Sequence, residues 1–208
     1  MPYFNDDSLK ECFTQLNGKK AVGTDVINKE QYGQDLDKNI NDLIIRMKNM
    51  SYRPGPIRQV LIPKEGKVGA IRSLGNSNLE DKIIQKMTKR ILTSIYEPIF
   101  LNSSYGFRDG ISCHDAIRDL SKHLNSNEVQ VVIDIDLENY FGSIDRKLLE
   151  EMLRRRIKDE KFMRYIIRMF KSGLLVSGNL AKSEEGVVQG SMCSPVLANI
   201  FEHYVIDE

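Results

Sequence analysis

One run constrains this chain more than any other, Val129 through Asp145, reading Val-Gln-Val-Val-Ile-Asp-Ile-Asp-Leu-Glu-Asn-Tyr-Phe-Gly-Ser-Ile-Asp. Val129, Val131, Val132, Ile133 and Ile135 are β-branched and apolar, which predicts a short buried strand. Side chains alternate across a strand, so Asp134 and Asp136 share one face. A buried strand tipped with carboxylates is costly unless a cation or hydrogen bonds compensate the charge. The adjacent aromatics Tyr140 and Phe141 offer a flat wall for a sugar or base. The run therefore reads in two ways. Its acids are divalent-metal ligands beside a nucleotide site, or they are ordinary caps and ion-pair partners.

At 208 residues, 41% hydrophobic and 28% charged, the chain is long and apolar enough for one packed domain, or one and a half. No apolar run reaches bilayer length, and the start, Met-Pro-Tyr-Phe-Asn-Asp-Asp, lacks a basic leader and an apolar signal core. A cytoplasmic protein without membrane partners is expected. Cys12, Cys113 and Cys193 are odd in number and far apart, which predicts reduced thiols and neither a disulfide framework nor a zinc site.

A net charge of +1 excludes nothing, but its distribution is uneven. Residues 46–72 and residues 146–171 each net +6, while the intervening 91–145 net −6. A polyanion on the basic segments, with cations held by the acidic one, fits this pattern; so do solvated helix faces.

In chain order, helices are expected over 6–17 and 30–49, separated by a loop that holds Gly23-Thr24-Asp25. Phe4-Asn5-Asp6-Asp7 reads as a helix start. Strands are expected at 57–62 and 70–74, joined by a turn with Lys64 and Lys67 near its tip. With Arg72 on the return strand, that hairpin grips a triphosphate, or its lysines merely keep an edge soluble. Further helices are expected over 78–95, 112–124, 146–156 and 159–172, then a hairpin around 177–179 and a last helix over roughly 193–207. Backbone N–H groups at that last helix start suit an anion. Tyr105 and Arg108, in the polar loop 103–110, suit stacking and phosphate contact.

Five blocks in fixed order give the chain a resemblance to the reverse transcriptases of group II introns, the intron-encoded maturase type. They are Gly23-Thr24-Asp25; Tyr52 through Lys64 with Arg72, Asp81 and Gln85; Ser104 through Arg108 with His114 through Ile117; Ile133 through Asp145; and Gln189-Gly190 with Ser194 through Ile200. The chain departs from that family's pattern at Val188, Gly142 and Ser73.

The resemblance implies an α+β right-hand polymerase fold. Its mostly helical fingers with a β-hairpin would span 1–125, and a partial palm with an antiparallel sheet 126–208. It implies RNA-directed DNA synthesis, in which deoxynucleoside triphosphates add to a DNA primer 3′-hydroxyl on an RNA template with two Mg²⁺ ions. Asp136 matches the catalytic aspartate and metal ligand, joined by the Leu137 carbonyl. Lys64, Arg72, Tyr140, Phe141, Gln189 and Gly190 match nucleotide-binding positions. Arg53, Arg58, Lys82, Lys86, Arg90, Tyr105 and Arg108 are the expected RNA contacts, intron RNA among them. The family's aromatic-x-Asp-Asp block is expected beyond Glu208, so this chain alone is expected to be inactive and to self-associate as a homodimer through uncovered palm surface. A non-catalytic structured-RNA-binding module is the alternative, followed by a retron or diversity-generating reverse transcriptase.

Overall fold

The helix ends follow from short side chains that satisfy backbone N–H groups. Asn5 caps α1 (Asp6–Thr14), accepting from the Ser8 N–H at 3.0 Å while the Ser8 hydroxyl meets the Asn5 N–H. Asp145 and Asp159 do the same for α7 (Arg146–Arg156) and α8 (Glu160–Phe170). The Phe4-Asn5-Asp6-Asp7 stretch is thus a cap, with Phe4 buried ahead of it. The chain is described by a computed structural model over residues 2–63, 66, 69, 71–126, 129–176, 179–181, 186–187 and 190–207, the side chains of 72, 174, 176 and 179–181 excepted.

The helix expected over 30–49 is two helices, α2 (Lys29–Gln34) and α3 (Leu36–Lys48). Gly33 and Asp35 are poor helix formers, and Asp35 leaves the helical region at φ −120° and ψ 42°. The Asn39 side chain donates to the Tyr32 carbonyl at 2.9 Å, supplying a partner at the break.

Strands β1 (Ile57–Pro63) and β2 (Ile71–Asn76) form the expected hairpin, with Val60 opposite Leu74. β3 (Leu174–Val176) and β4 (Asn179–Ala181) form a second antiparallel pair. β3 joins β1 in parallel, giving a mixed sheet in the order β2-β1-β3-β4. That sheet ties the N-terminal half of the chain to a segment more than a hundred residues later.

The core is organised on α4 (Leu79–Tyr96), which buries Leu79, Ile83, Ile84, Met87, Leu92 and Tyr96. α1 packs on one side of it and α9 (Ser194–Glu202) on another, with α7 and α8 stacked beyond. Ile91 and Ile95 are half-buried at its edge, while Leu92 and Tyr96 take the interior positions. After α9 the chain continues as a short π-helical turn, His203–Asp207.

One expected element does not form. Residues 129–137 are in no strand, and Ile133 and Ile135 are each 79% exposed. The helix before them, α5 (Cys113–Ser126), also buries nothing, and its apolar positions Ile117, Leu120 and Leu124 face solvent. Among the described residues no strand lies beside 129–137 to take its N–H and C=O groups. An apolar run without ladder partners gains neither hydrogen bonds nor burial, so β propensity alone leaves it unpaired.

Candidate functional site

Several loops converge beside the hairpin, held by side chains far apart in sequence. Asn78, at the start of α4, accepts from the Thr24 N–H at 2.8 Å and the Thr24 hydroxyl at 3.0 Å. A Cβ on Gly23 would sit 2.6 Å from the Asn78 backbone, so only glycine permits this docking of the Gly23-Thr24-Asp25 loop. Gly55 is similarly close to the Asn78 amide, and its N–H donates to Asp81 at 3.0 Å. The Tyr52 hydroxyl donates to the other Asp81 oxygen. Burial pushes the Asp81 carboxyl up to about 6, and the hydrogen bonds from Tyr52 and Gly55 only partly offset it. Gln85 bridges the Ser77 hydroxyl at 2.9 Å and the Met192 N–H at 3.2 Å, linking α4 to the loop before α9.

That loop is fitted by another glycine. Gly190 has φ +99°, and a Cβ there would lie 2.5 Å from the Gly75 carbonyl of β2. The loop therefore seats directly on the hairpin. Gly190 and Met192 close one end of a cleft of about 600 Å³ between the hairpin and residues 15–29. Lys20, Lys29 and Lys82 contribute to its lining. The Lys82 amine donates to the Ala21 carbonyl at 2.7 Å, and burial, with Lys20 nearby, lowers its pKa.

Tyr140 and Phe141 open the short helix α6 (Tyr140–Ser143) after Asn139, which takes the left-handed φ of +49° that asparagine tolerates. The Tyr140 hydroxyl donates to the Ala198 carbonyl of α9 at 2.8 Å. Phe141 meets Tyr140 and Phe107 edge-on at 5.9 and 6.0 Å, making a three-ring wall. The Gly186 and Val187 N–H groups donate to the Ile144 and Phe141 carbonyls at 2.8 and 2.7 Å, fixing this wall to the approach of the Gly190 loop. Gly142 leaves room for the Asn139 side chain, which a Cβ there would meet at 2.5 Å.

The expected site residues are distributed unevenly. Tyr140, Phe141 and Gly190 lie on the elements just described. Lys64, Gln189 and the Arg72 side chain lie outside the described residues. Asp136 and Leu137 sit on the exposed, unpaired run. Among the described residues, no group of three or more His, Cys, Asp or Glu side chains is placed to hold a metal ion. The described residues alone do not complete a two-metal centre.

Of the expected RNA contacts, Arg58 is exposed on β1 and Lys86 half-buried on α4. Arg90 is paired with Glu11 at 2.7 Å, and the Tyr105 hydroxyl donates to Asp119 at 2.6 Å. Arg108 turns inward, with a side chain 8% exposed; it pairs with Glu97 and donates to the Leu101 and Ser104 carbonyls at 2.7 Å each. Its guanidinium shapes the loop that carries Phe107. Asn199 pins the same loop, donating to the Gly106 carbonyl at 2.7 Å. The start of α9 is not open to an anion, because Cys193 and Ser194 are both buried there. Asn78 and Asn199 organise the site, yet as lone asparagines they carried no signal in the sequence beyond a helix cap and a block position.

A helical body around a fingers-like hairpin, a glycine loop seated on that hairpin and an aromatic wall beside it define a polymerase-type arrangement. Residues 62–208 match the family described as reverse transcriptase (RNA-dependent DNA polymerase), and the chain belongs to that family. It is 31% identical over 192 residues to the group II intron-encoded protein LtrA of Lactococcus lactis, covering 92% of this chain and 32% of that protein. It is 34% identical to protein YkfC of Escherichia coli, covering 90% of this chain and 51% of that one. A 91 kDa protein in the cob intron of Schizosaccharomyces pombe is 34% identical over 96% of this chain and 24% of its own length. The chain thus spans from about a quarter to half of these relatives. A solved structure titled partial Cas6-RT-Cas1--Cas2 complex shares the fold with a TM-score of 0.63 at 19% identity, over 96% of this chain and 33% of that one. The right-hand polymerase fold agrees with these likenesses. The sheet adds a parallel β1–β3 contact to the antiparallel pairs, and the acid-tipped run stands outside it. No helix among the described residues is long and apolar enough to cross a membrane.

Proposed function

We propose that residues 1–125 and 126–208 are the fingers and palm portions of an RNA-directed DNA polymerase of the group II intron type. The reading rests above all on the Gly190 loop, which lies against the fingers strand β2 without room for a side chain. In this reading the cleft between residues 15–29 and the hairpin receives the RNA template, with Lys20 and Lys82 near its phosphates. Tyr140, held by the Ala198 carbonyl, lies under the sugar of an incoming deoxynucleotide and excludes a 2′-hydroxyl, with Phe141 and Phe107 packed behind. Lys64 and Arg72 hold the triphosphate, and Gln189 with Gly190 supports the base. Arg58, Lys86 and Arg90 contact RNA, with Arg53 at the entrance of β1.

Magnesium, when bound in this family, stabilises charge on the transferred phosphate. Asp136 and the Leu137 carbonyl are its assigned ligands here, a set that the described residues do not complete. The 208-residue chain alone is therefore expected not to extend a primer. The exposed apolar side chains of 117–124 and 129–137 are assigned to a second copy, an isologous dimer.

The test is made in a longer polypeptide that carries this sequence and extends primers. Asp136→Asn should lower extension at least about a thousandfold, in line with loss of a transition-state electrostatic group, and leave RNA affinity within twofold. Tyr140→Ala should raise ribonucleotide incorporation. A non-catalytic RNA-binding role, favoured by the incomplete carboxylate set, predicts no extension from any such polypeptide and RNA binding indifferent to Asp136.

A further inference from the structure

A second cationic surface lies away from this cleft. On α8 and its C-terminal cap, Lys161, Arg164, Arg168 and Lys171 recur at spacings of three, four and three, an arc of about 80° at 3.6 residues per turn. The opposite face of α8 buries Phe162, Met163, Tyr165, Ile166 and Met169. Lys161, Arg164 and Lys171 are exposed. Arg53 joins this stripe from the segment before β1. It donates to the Tyr52 carbonyl at 3.1 Å, and Arg168 donates to the same oxygen at 2.9 Å. Two guanidiniums sharing one acceptor stand side by side.

Their placement is held from beneath. Arg53 also donates to the carbonyl of Met50, whose left-handed φ of +57° is strained for a non-glycine residue. Arg168 lies over the Tyr165 ring at 5.3 Å. Burial lowers the Arg168 pKa first, and the neighbouring cations Arg53 and Arg164 lower it further. Among the described residues no carboxylate is within ion-pair distance of Arg53, Lys161, Arg164, Arg168 or Lys171, and nearby Glu160 is engaged by Arg154 at 2.6 Å. Like charges gathered without a counter-charge are unfavourable in the free protein, and a bound polyanion would relieve that repulsion.

We propose that the outer stripe of α8, with Arg53, is a docking surface for the phosphate backbone of a structured RNA, separate from the cleft. None of its five cations lines the cleft. From Lys161 to Lys171 the stripe runs about 15 Å at ~1.5 Å per residue, enough to meet several successive phosphates. An anionic membrane fits less well, because no large apolar side chain of α8 is exposed to insert into lipid. The inference rests on RNA as this chain's polyanion and is independent of the polymerase chemistry.

The test is anisotropy of a labelled RNA hairpin titrated with the chain over a potassium chloride series. The K161Q/R164Q/K171Q variant removes three exposed cations whose side chains make no hydrogen bond or ion pair among the described residues. It should bind at least about tenfold more weakly and lower the salt slope by about 2 to 3, at ~0.9 per phosphate contact. The charge-preserving K161R/R164K/K171R variant should bind like the parent. Unchanged affinity and slope in the Gln variant, with Lys82→Gln or Lys86→Gln weakening binding, overturn this docking surface and leave the cleft reading standing. No RNA binding by the parent overturns both. A lower melting temperature with an unchanged slope assigns the stripe to helix capping and overturns the proposal. Loss of binding to phosphatidylserine vesicles, with RNA affinity retained, overturns it in favour of a membrane.

Discussion

Replacing Asp81 with Asn should stabilise this protein near neutral pH, and the gain should vanish in mild acid. Asp81 is buried, and its partners are the Tyr52 hydroxyl and the Gly55 N–H. Its carboxyl sits at about 6 in the fold, against an ordinary value of 3.8. An acid with a raised folded pKa holds its proton more tightly when folded. Stability from this group is therefore fully present below pH ~4 and is lost as pH rises through about 6. A shift of roughly two units corresponds to a cost of about 3 kcal/mol above pH 6. Asn keeps an acceptor for the Gly55 N–H, and its amide can donate to the Tyr52 oxygen, so neither partner is stranded. Allowing for imperfect geometry, Asp81→Asn should gain about 1 to 2 kcal/mol at pH 7.5, a rise in melting temperature of roughly 2 to 8 °C for a chain of this size. At pH 4.5 the difference should be near zero or negative. Urea denaturation followed by circular dichroism across this range measures both. If the Asn variant is destabilised equally at both ends, ionisation of Asp81 carries no cost and the burial argument is wrong.

Three other outcomes follow from the packing. Gly190→Ala must bring a methyl within 2.5 Å of the Gly75 carbonyl at φ +99°, so it should cost at least about 1 to 3 kcal/mol and speed amide exchange in β2, read by hydrogen-exchange mass spectrometry; unchanged exchange would mean that the loop does not rest on the hairpin. Asn199→Ala removes the bond to the Gly106 carbonyl and should cost about 1 kcal/mol while increasing tryptic cleavage within 103–110, where undisturbed resistance would count against the tether. Ile133→Thr with Ile135→Thr removes two exposed apolar side chains; light scattering should show weaker concentration-dependent association than in the parent, and equal association would place the dimer contact elsewhere.

Among the findings most legible in sequence are those whose causes are local. The caps at Asn5, Asp145 and Asp159 act over two or three residues, so the starts of α1, α7 and α8 could be read directly. The helix expected over 78–95 likewise forms as α4, although which of Ile91, Leu92, Ile95 and Tyr96 is most buried depended on the neighbours α1 and α9. The ordered blocks marked the family.

Tertiary structure decided what depends on partners distant in the chain. Asn78 reaches Thr24 across 54 residues, Tyr52 reaches Asp81 across 29, and Arg168 reaches the Tyr52 carbonyl across 116. No periodicity encodes such pairings. The same dependence explains the run at 129–137. Its sequence specifies a residue pattern suited to a strand, but a strand exists only when another backbone accepts its hydrogen bonds and a surface covers its apolar face. Among the described residues neither is present, so the strongest β signal in the sequence remains an unpaired segment.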